Sequence, residues 1–111
     1  MSELATYALR MIGKSDAIVN GAIVTYYLKD RKLRISIARV DNLLYAFDDL
    51  CTCAPQTCPL SSGLLTGTTI ACQCHGSRFD IATGTVIEGP ATRALNVYEV
   101  QELEGSIQIR A

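Results

Sequence analysis

One short segment, which contains every cysteine and the single histidine, constrains this chain most. The five cysteines and the histidine all fall between Cys51 and His75. Thiolate and imidazole ligands this close together suit zinc or an iron-sulfur cluster, whereas calcium binds through carboxylates and carbonyls that the segment lacks. The segment therefore predicts a metal site, and zinc and iron both remain open at this point.

The rest of the composition narrows the class of protein. A chain of 111 residues is long enough for one compact domain, which we expect to span residues 1–111. The net charge of -1 gives no basic excess, so nucleic acid is not an expected partner. No stretch approaches the roughly 20 apolar residues that span a bilayer, and no signal peptide precedes the cysteines. We expect a soluble, cytoplasmic, monomeric domain with no membrane segment.

Around the cysteines, the residue pattern predicts an all-β scaffold. In the segment LRISIARV, Leu33, Ile35 and Ile37 alternate with Arg34 and smaller residues, which predicts one buried and one solvated sheet face. No window shows sustained helical periodicity. Strands are predicted from Ala5 to Met11 and over residues 22–30, 33–40, 43–49, 95–100 and 106–110.

Turn residues separate these predicted strands. Asp41-Asn42 and Glu104-Gly105 suit tight hairpin turns, because these residue types tolerate a left-handed backbone. Gly13, with Ser15 and Asp16, is expected to supply a turn after the first strand. Asp48, Asp49 and Asp80 are expected to be solvated turn residues.

Two segments, LYAFDDLCTCAPQTCPLSSG and ACQCHGSRFDIATG, resemble the two cluster-binding boxes of Rieske-type iron-sulfur proteins, usually written Cys-X-His and Cys-X-X-His-Gly. The resemblance covers nearly the whole chain, and Gly89-Pro90-Ala91 resembles the family's proline loop. In size the chain is most similar to the soluble Rieske-type ferredoxins, including the archaeal sulredoxin kind. The resemblance implies a [2Fe-2S] cluster in a Rieske-like antiparallel β-sandwich, with a small cluster-binding subdomain, residues 48–82, inserted between strands.

The chain departs from the family pattern at one ligand position. Carried over by position, Cys51 and Cys72 hold the inner iron and His75 holds the outer iron. Cys53 stands where the family has its first histidine. The resemblance therefore implies a three-cysteine, one-histidine cluster, like that of mitoNEET-type proteins. A third thiolate adds negative charge, so we expect a lower reduction potential than that of a two-histidine site.

The resemblance also assigns the two remaining cysteines. Cys58 and Cys74 match the positions that form a disulfide between the two cluster loops in high-potential Rieske proteins. Such a bond is expected to hold both loops over the cluster. Disulfides are unusual in the cytosol except in hyperthermophiles, so the pairing suggests a thermophilic source.

Four further residues are expected to surround the cluster. Ser77 matches a serine whose hydroxyl donates a hydrogen bond to a cluster sulfur, which raises the reduction potential. Phe79 stands where high-potential members carry a tyrosine, so that hydroxyl contact is absent. Gly76 is expected to let the backbone approach the sulfides, and Pro90 to cover one side of the cluster.

These features predict a one-electron carrier and not an enzyme, with a redox partner protein docking near His75. Two alternatives stay open. One is a structural module with a single zinc or iron ion, held by Cys51, Cys53, Cys72 and either His75 or Cys74. The other is a cluster-transfer or redox-sensing protein, in which the single histidine makes the cluster labile.

Overall fold

The computed structural model describes residues 9–52 and 58–111, and the strands found there form two antiparallel sheets. The larger sheet has six strands in the order β1-β10-β9-β4-β3-β2, and the smaller has four in the order β5-β6-β7-β8. The strands are β1 (Leu9–Lys14), β2 (Ile23–Leu28), β3 (Leu33–Val40), β4 (Leu43–Asp48), β5 (Leu64–Thr66), β6 (Thr69–Ala71), β7 (Arg78–Asp80), β8 (Val86–Glu88), β9 (Val97–Leu103) and β10 (Ser106–Arg110). The prediction of an all-β, antiparallel scaffold is confirmed.

Both predicted hairpin turns are present. Asp41 and Asn42 have φ values of 50° and 69° between β3 and β4. Glu104 and Gly105 have φ values of 49° and 79° between β9 and β10. Two consecutive residues with positive φ match the twist of the strands that they connect, so these short turns fix the register of both hairpins.

Two apolar cores lie on opposite faces of β3. We call the first the inner core; it lies within the curve of the larger sheet and consists of Ile18, Leu28, Ile35, Ile37, Ala46, Tyr98, Ile107, Ile109 and Ala111. The outer core lies between this sheet and the cysteine loops and consists of Ala38, Phe47, Cys51, Cys58, Leu60, Ile70, Cys72, Phe79, Ile81, Ala91 and Leu95.

The prediction that one face of β3 is solvated is therefore wrong. Ser36 and Ala38, on the face opposite Ile35 and Ile37, are completely buried. The strand alternates as expected, but the cysteine loops and the smaller sheet cover its second face. A period of two reports which residues share a face, and it does not report what covers that face.

Side chains link the two edge strands of the larger sheet. The turn predicted for Gly13, Ser15 and Asp16 is present as a 3-10 helix at Ser15–Ala17, although Gly13 itself lies within β1. An ideal Cβ at Gly13 would lie 2.7 Å from the Tyr26 hydroxyl on β2. Arg10 on β1 also donates two hydrogen bonds to Asp30, at 2.8 and 2.9 Å, just after β2. These contacts connect the two edges of the larger sheet, which forms a half-barrel. Residues 1–8, which include most of the predicted first strand, lie outside the described residues.

The smaller sheet positions the second half of the cysteine segment. Ile70 on β6 pairs with Leu65 on β5 and Phe79 on β7, and Phe79 pairs with Val86 on β8. Residues 72–77 form the connection between β6 and β7, so this hairpin fixes their position. The last strand of this sheet, β8, ends at Glu88.

Candidate metal centre

The first cysteine loop leaves the larger sheet at the end of β4 and is closed at its base. Leu50 forms an antiparallel bridge with Pro59, and the Cys51 N–H donates to the Cys58 carbonyl at 2.9 Å. Cys51 is buried, with 5% exposure. Residues 53–57, which include the predicted ligand Cys53, lie outside the described residues.

The second loop is a tight turn between β6 and β7. The Cys72 N–H donates to the Ser77 carbonyl at 2.7 Å, and the Gly76 N–H donates to the Cys72 carbonyl at 3.0 Å. Gly76 has a φ of 77°, and among the described residues, its chain neighbours aside, no atom lies within 4 Å of an ideal Cβ there. Its backbone conformation therefore accounts for the glycine. Cys72 is buried and His75 is exposed, so the two ligand candidates face different environments.

A disulfide between Cys58 and Cys74 joins the two loops, with a Cα–Cα distance of 6.4 Å. The Cys72 sulfur lies near it: the sulfurs of Cys58, Cys72 and Cys74 are all within 4.8 Å of one another. Two of these sulfurs share the disulfide, so the group does not supply three thiolates to a metal ion. Cys51 and Cys72 are thiols and lie in the same outer core.

Ser77 connects the second loop to the proline loop. It is completely buried, and its Oγ accepts a hydrogen bond from the Ala91 N–H at 2.9 Å. Because this bond uses the oxygen as an acceptor, the hydroxyl proton can donate to another group. Pro90 is exposed, and Phe79 is completely buried beneath the loops.

The residues present fit an iron-sulfur cluster. The two buried thiols, Cys51 and Cys72, and the exposed imidazole of His75 are ligands of the kind that iron-sulfur sites use. Ser77 adds a buried hydroxyl that can donate to sulfur, a common adjustment of such clusters. Cys51 and Cys72 lie in the outer core, and His75 is exposed on the same loop as Cys72.

Two acidic residues at the end of β4 were misjudged from the sequence. Asp49 is completely buried and pairs with Arg34, 15 residues earlier, and is not a solvated turn residue. Asp48 accepts a hydrogen bond from the Tyr98 hydroxyl. Burial, and then this bond, raise the pKa of Tyr98. The sequence shows two adjacent aspartates, separated from Cys51 by one residue. No local pattern identifies Arg34 and Tyr98 as their partners, because both are distant in sequence.

Within residues 9–52 and 58–111, no helix has the length and apolar character needed to cross a membrane.

Comparison with known proteins places the chain in a family. The Rieske [2Fe-2S] domain family matches residues 8–99. The ferredoxin CarAc of Metapseudomonas resinovorans is 36% identical over 75 residues, which cover 68% of this chain and 68% of that protein. The ferredoxin component of the naphthalene 1,2-dioxygenase/salicylate 5-hydroxylase systems of a Ralstonia species is 33% identical over 86 residues, covering 78% of this chain and 79% of that protein.

Solved structures support the same conclusion. The Sphingomonas yanoikuyae B1 ferredoxin superposes with a TM-score of 0.85 at 27% identity, over 94% of this chain and 99% of that chain. A chain in the complex of reduced oxygenase and oxidized ferredoxin in carbazole 1,9a-dioxygenase has a TM-score of 0.80 at 28% identity, over 92% of both chains. The predicted Rieske-like fold is confirmed. The chain belongs to the Rieske [2Fe-2S] domain family, with a [2Fe-2S] cluster as its cofactor and electron transport as its role.

Proposed function

We propose that this chain is the ferredoxin component of an aromatic-ring dioxygenase system and passes single electrons to its terminal oxygenase. The names of the relatives support this assignment, as does the carbazole complex, in which a similar ferredoxin is bound to an oxygenase. The observation that carries the proposal is the pairing of buried Cys51 and Cys72 thiols with an exposed His75 on two disulfide-linked loops.

Four residues hold the cluster in this proposal. Cys51 and Cys72 bind the inner iron, and Cys53 and His75 bind the outer iron. When bound, the cluster supplies a site for the reversible gain and loss of one electron. The outer core keeps water from the buried thiolates, and His75 faces solvent, so a redox partner docks on the His75 side.

The third thiolate changes the charge of the site. Two ferric ions and two sulfides carry two positive charges in sum, so two thiolates give a neutral oxidised site and a third makes it negative. The potential then lies between the roughly -150 to +300 mV of Rieske centres and the about -400 mV of plant-type ferredoxins.

Neighbouring residues adjust this site. The Ser77 hydroxyl donates to a cluster sulfur and raises the potential, while Phe79 brings no hydroxyl and so adds no such bond. Gly76 allows the turn that presents His75, and Pro90 would cover one side of the cluster. The subdomain limits of 48–82 and the likeness to archaeal sulredoxins stay predictions.

The test compares the chain with its Cys53→His variant. Each protein is expected to contain two irons and two acid-labile sulfides and to bleach reversibly on reduction. The variant is expected to have the higher potential, since a neutral imidazole replaces a thiolate. The measurements are metal and sulfide analysis, electron paramagnetic resonance and potentiometry.

Several outcomes would contradict the proposal. A potential of the unsubstituted chain equal to or above that of the variant would rule out the ligand assignment of Cys53. A colourless protein with one zinc ion would indicate the structural module. Rapid transfer of the cluster to an apo-acceptor, without oxidation of the reduced protein by an aromatic-ring oxygenase, would indicate the cluster-transfer function.

A further inference from the structure

Asp49 carries a completely buried carboxylate two residues before Cys51. The Arg34 Nε and Nη2 donate to its Oδ2 at 3.1 and 2.9 Å. The Ser36 hydroxyl and the Ser61 N–H donate to its Oδ1 at 2.8 and 2.9 Å. Four donors from β3 and from the far side of the first loop therefore converge on one side chain.

The hydrogen bonds continue to the edge of the larger sheet. The hydroxyls of Thr25 on β2 and Ser36 on β3 lie 2.9 Å apart in a cross-strand pair. Because Ser36 gives its only proton to Asp49, Thr25 must be the donor in that pair. Asp49 thus terminates a directed chain of hydroxyls that crosses two strands.

The backbone of Asp49 closes the base of the first cysteine loop. Its N–H donates to the Arg34 carbonyl at 2.9 Å, and its carbonyl accepts from the Leu60 N–H at 2.5 Å. The next contacts outward are the Leu50–Pro59 bridge and the bond from Cys51 to Cys58. Both ends of the loop that contains Cys51 and Cys58 therefore meet at Asp49.

We propose that the Arg34–Asp49 ion pair is the positioning element of the first cluster loop, and that it fixes Cys51 and Cys58 relative to β3. Asp49 touches neither the ligand sulfur nor the disulfide in this proposal, and acts through the loop backbone. The inference rests on the ligand role of Cys51 proposed above.

The charge on Asp49 makes its hydrogen-bond donors necessary. A buried carboxylate is costly unless it is paired and hydrogen-bonded, so loss of its donors destabilises the fold. Only the Asp49 end of this pair is buried, because the Arg34 side chain is 47% exposed. Exposed pairs such as Arg10–Asp30 contribute little in comparison. Asp49 can therefore hold the loop through its four donors in a way that the surface pairs cannot.

The test uses the full chain with its cluster, and compares Asp49→Asn with Asp30→Asn as a control. Asparagine keeps the size of aspartate but brings an NH2 group and no charge to Arg34. The measured quantities are the rate at which dithiothreitol reduces the Cys58–Cys74 disulfide and the electron paramagnetic resonance spectrum of the reduced protein. Asp49→Asn is expected to speed disulfide reduction at least tenfold and to shift the spectrum. Asp30→Asn is expected to change neither.

A milder variant and a double variant keep the test decisive. Ser36→Ala removes one donor and is expected to give a smaller change in the same direction. If Arg34 and Asp49 act as one unit, Arg34→Gln combined with Asp49→Asn will speed reduction by less than the product of the two single effects. A rate within twofold of the unsubstituted chain for Asp49→Asn, or single effects that multiply, would overturn the proposal.

Metal analysis separates this inference from the proposed function. An unchanged disulfide rate in an Asp49→Asn variant with two irons and two sulfides would reject the positioning role alone. If the unsubstituted chain holds no [2Fe-2S] cluster, the electron-carrier function is rejected. A faster rate of disulfide reduction in Asp49→Asn would still support the positioning of the loop in that case.

Discussion

The inner and outer cores differ in what holds them together. Within the described residues, the inner core is aliphatic apart from Tyr98, and neighbouring strands of one sheet supply most of it. The outer core includes Cys51, Cys58 and Cys72, and it draws on two loops, two sheets and the proline loop. A disulfide and the hydrogen bonds of Asp49 and Ser77 reinforce it. Apolar packing suffices for the scaffold, whereas the site needs specific bonds between distant segments.

The largest expected effect tests whether packing also matters in the outer core. Phe79→Ala removes a completely buried ring from the centre of the smaller sheet. It is expected to lower the free energy of unfolding by about 3 to 5 kcal/mol through lost burial and the cavity left behind. Chemical denaturation measures this change. Ile87→Ala in the same sheet is the control, and because Ile87 is 54% exposed a comparable loss there would contradict the prediction.

Removal of the disulfide tests how far the outer core depends on its cross-link. Replacement of Cys58 and Cys74 by alanine opens a link between residues separated by 16 positions. The loss is expected to be about 2 to 4 kcal/mol, chiefly because the unfolded chain becomes less constrained. The free energy of unfolding, measured by chemical denaturation, and the iron content should both decline, while the far-UV circular dichroism of the strands is retained. Unchanged iron retention would show that the loops hold the cluster without the link.

Gly13→Ala tests the closure of the half-barrel around the inner core. The added Cβ would lie 2.7 Å from the Tyr26 hydroxyl and 3.0 Å from the ring, so β1 or the ring must shift. Such overpacking is expected to cost about 1 to 3 kcal/mol. Removal of the hydroxyl by Tyr26→Phe in the same chain should restore part of the loss. If Gly13→Ala and the double variant lose the same free energy of unfolding, the contact with the Tyr26 hydroxyl is not the source of the strain.

The smallest effect concerns Tyr98, which joins the inner core to the base of the first loop through Asp48. Burial and this hydrogen bond raise the pKa of Tyr98. Its contribution is therefore fully present below the unfolded tyrosine pKa of about 10, and is lost as pH rises toward the folded value. Tyr98→Phe should lose about 1 kcal/mol at neutral pH and should remove this component of the alkaline decline.

The exposed Tyr27 provides the matched control for this pH dependence. Tyr27→Phe is expected to leave the alkaline decline in the free energy of unfolding unchanged, because the ring is 57% exposed. The measurement is chemical denaturation at several pH values between 8 and about 11, on either side of the ordinary tyrosine pKa. An alkaline decline that persists unchanged in Tyr98→Phe would remove Tyr98 as its source.

The sequence by itself determined the local features of this protein. The alternation of residues 33–40 and the Asp41-Asn42 turn set a strand and a hairpin, because both depend on residues within a few positions. The cysteines and the histidine likewise indicated a metal site, and the resemblance of the two boxes to those of Rieske-type proteins indicated an iron-sulfur cluster. Each box is a continuous segment of the sequence, so its resemblance to the known boxes could be recognised without the structure.

Only the tertiary structure decided how these elements meet. The pairing of Arg34 with Asp49, the contact of Gly13 with Tyr26 and the burial of both faces of β3 each join segments that are distant in sequence. Periodicity and turn preference carry no record of which segments will cover one another, because that depends on how the sheet curves and where the loops return. The buried carboxylate beneath Cys51 is the clearest case, since in the sequence it is one of two adjacent aspartates.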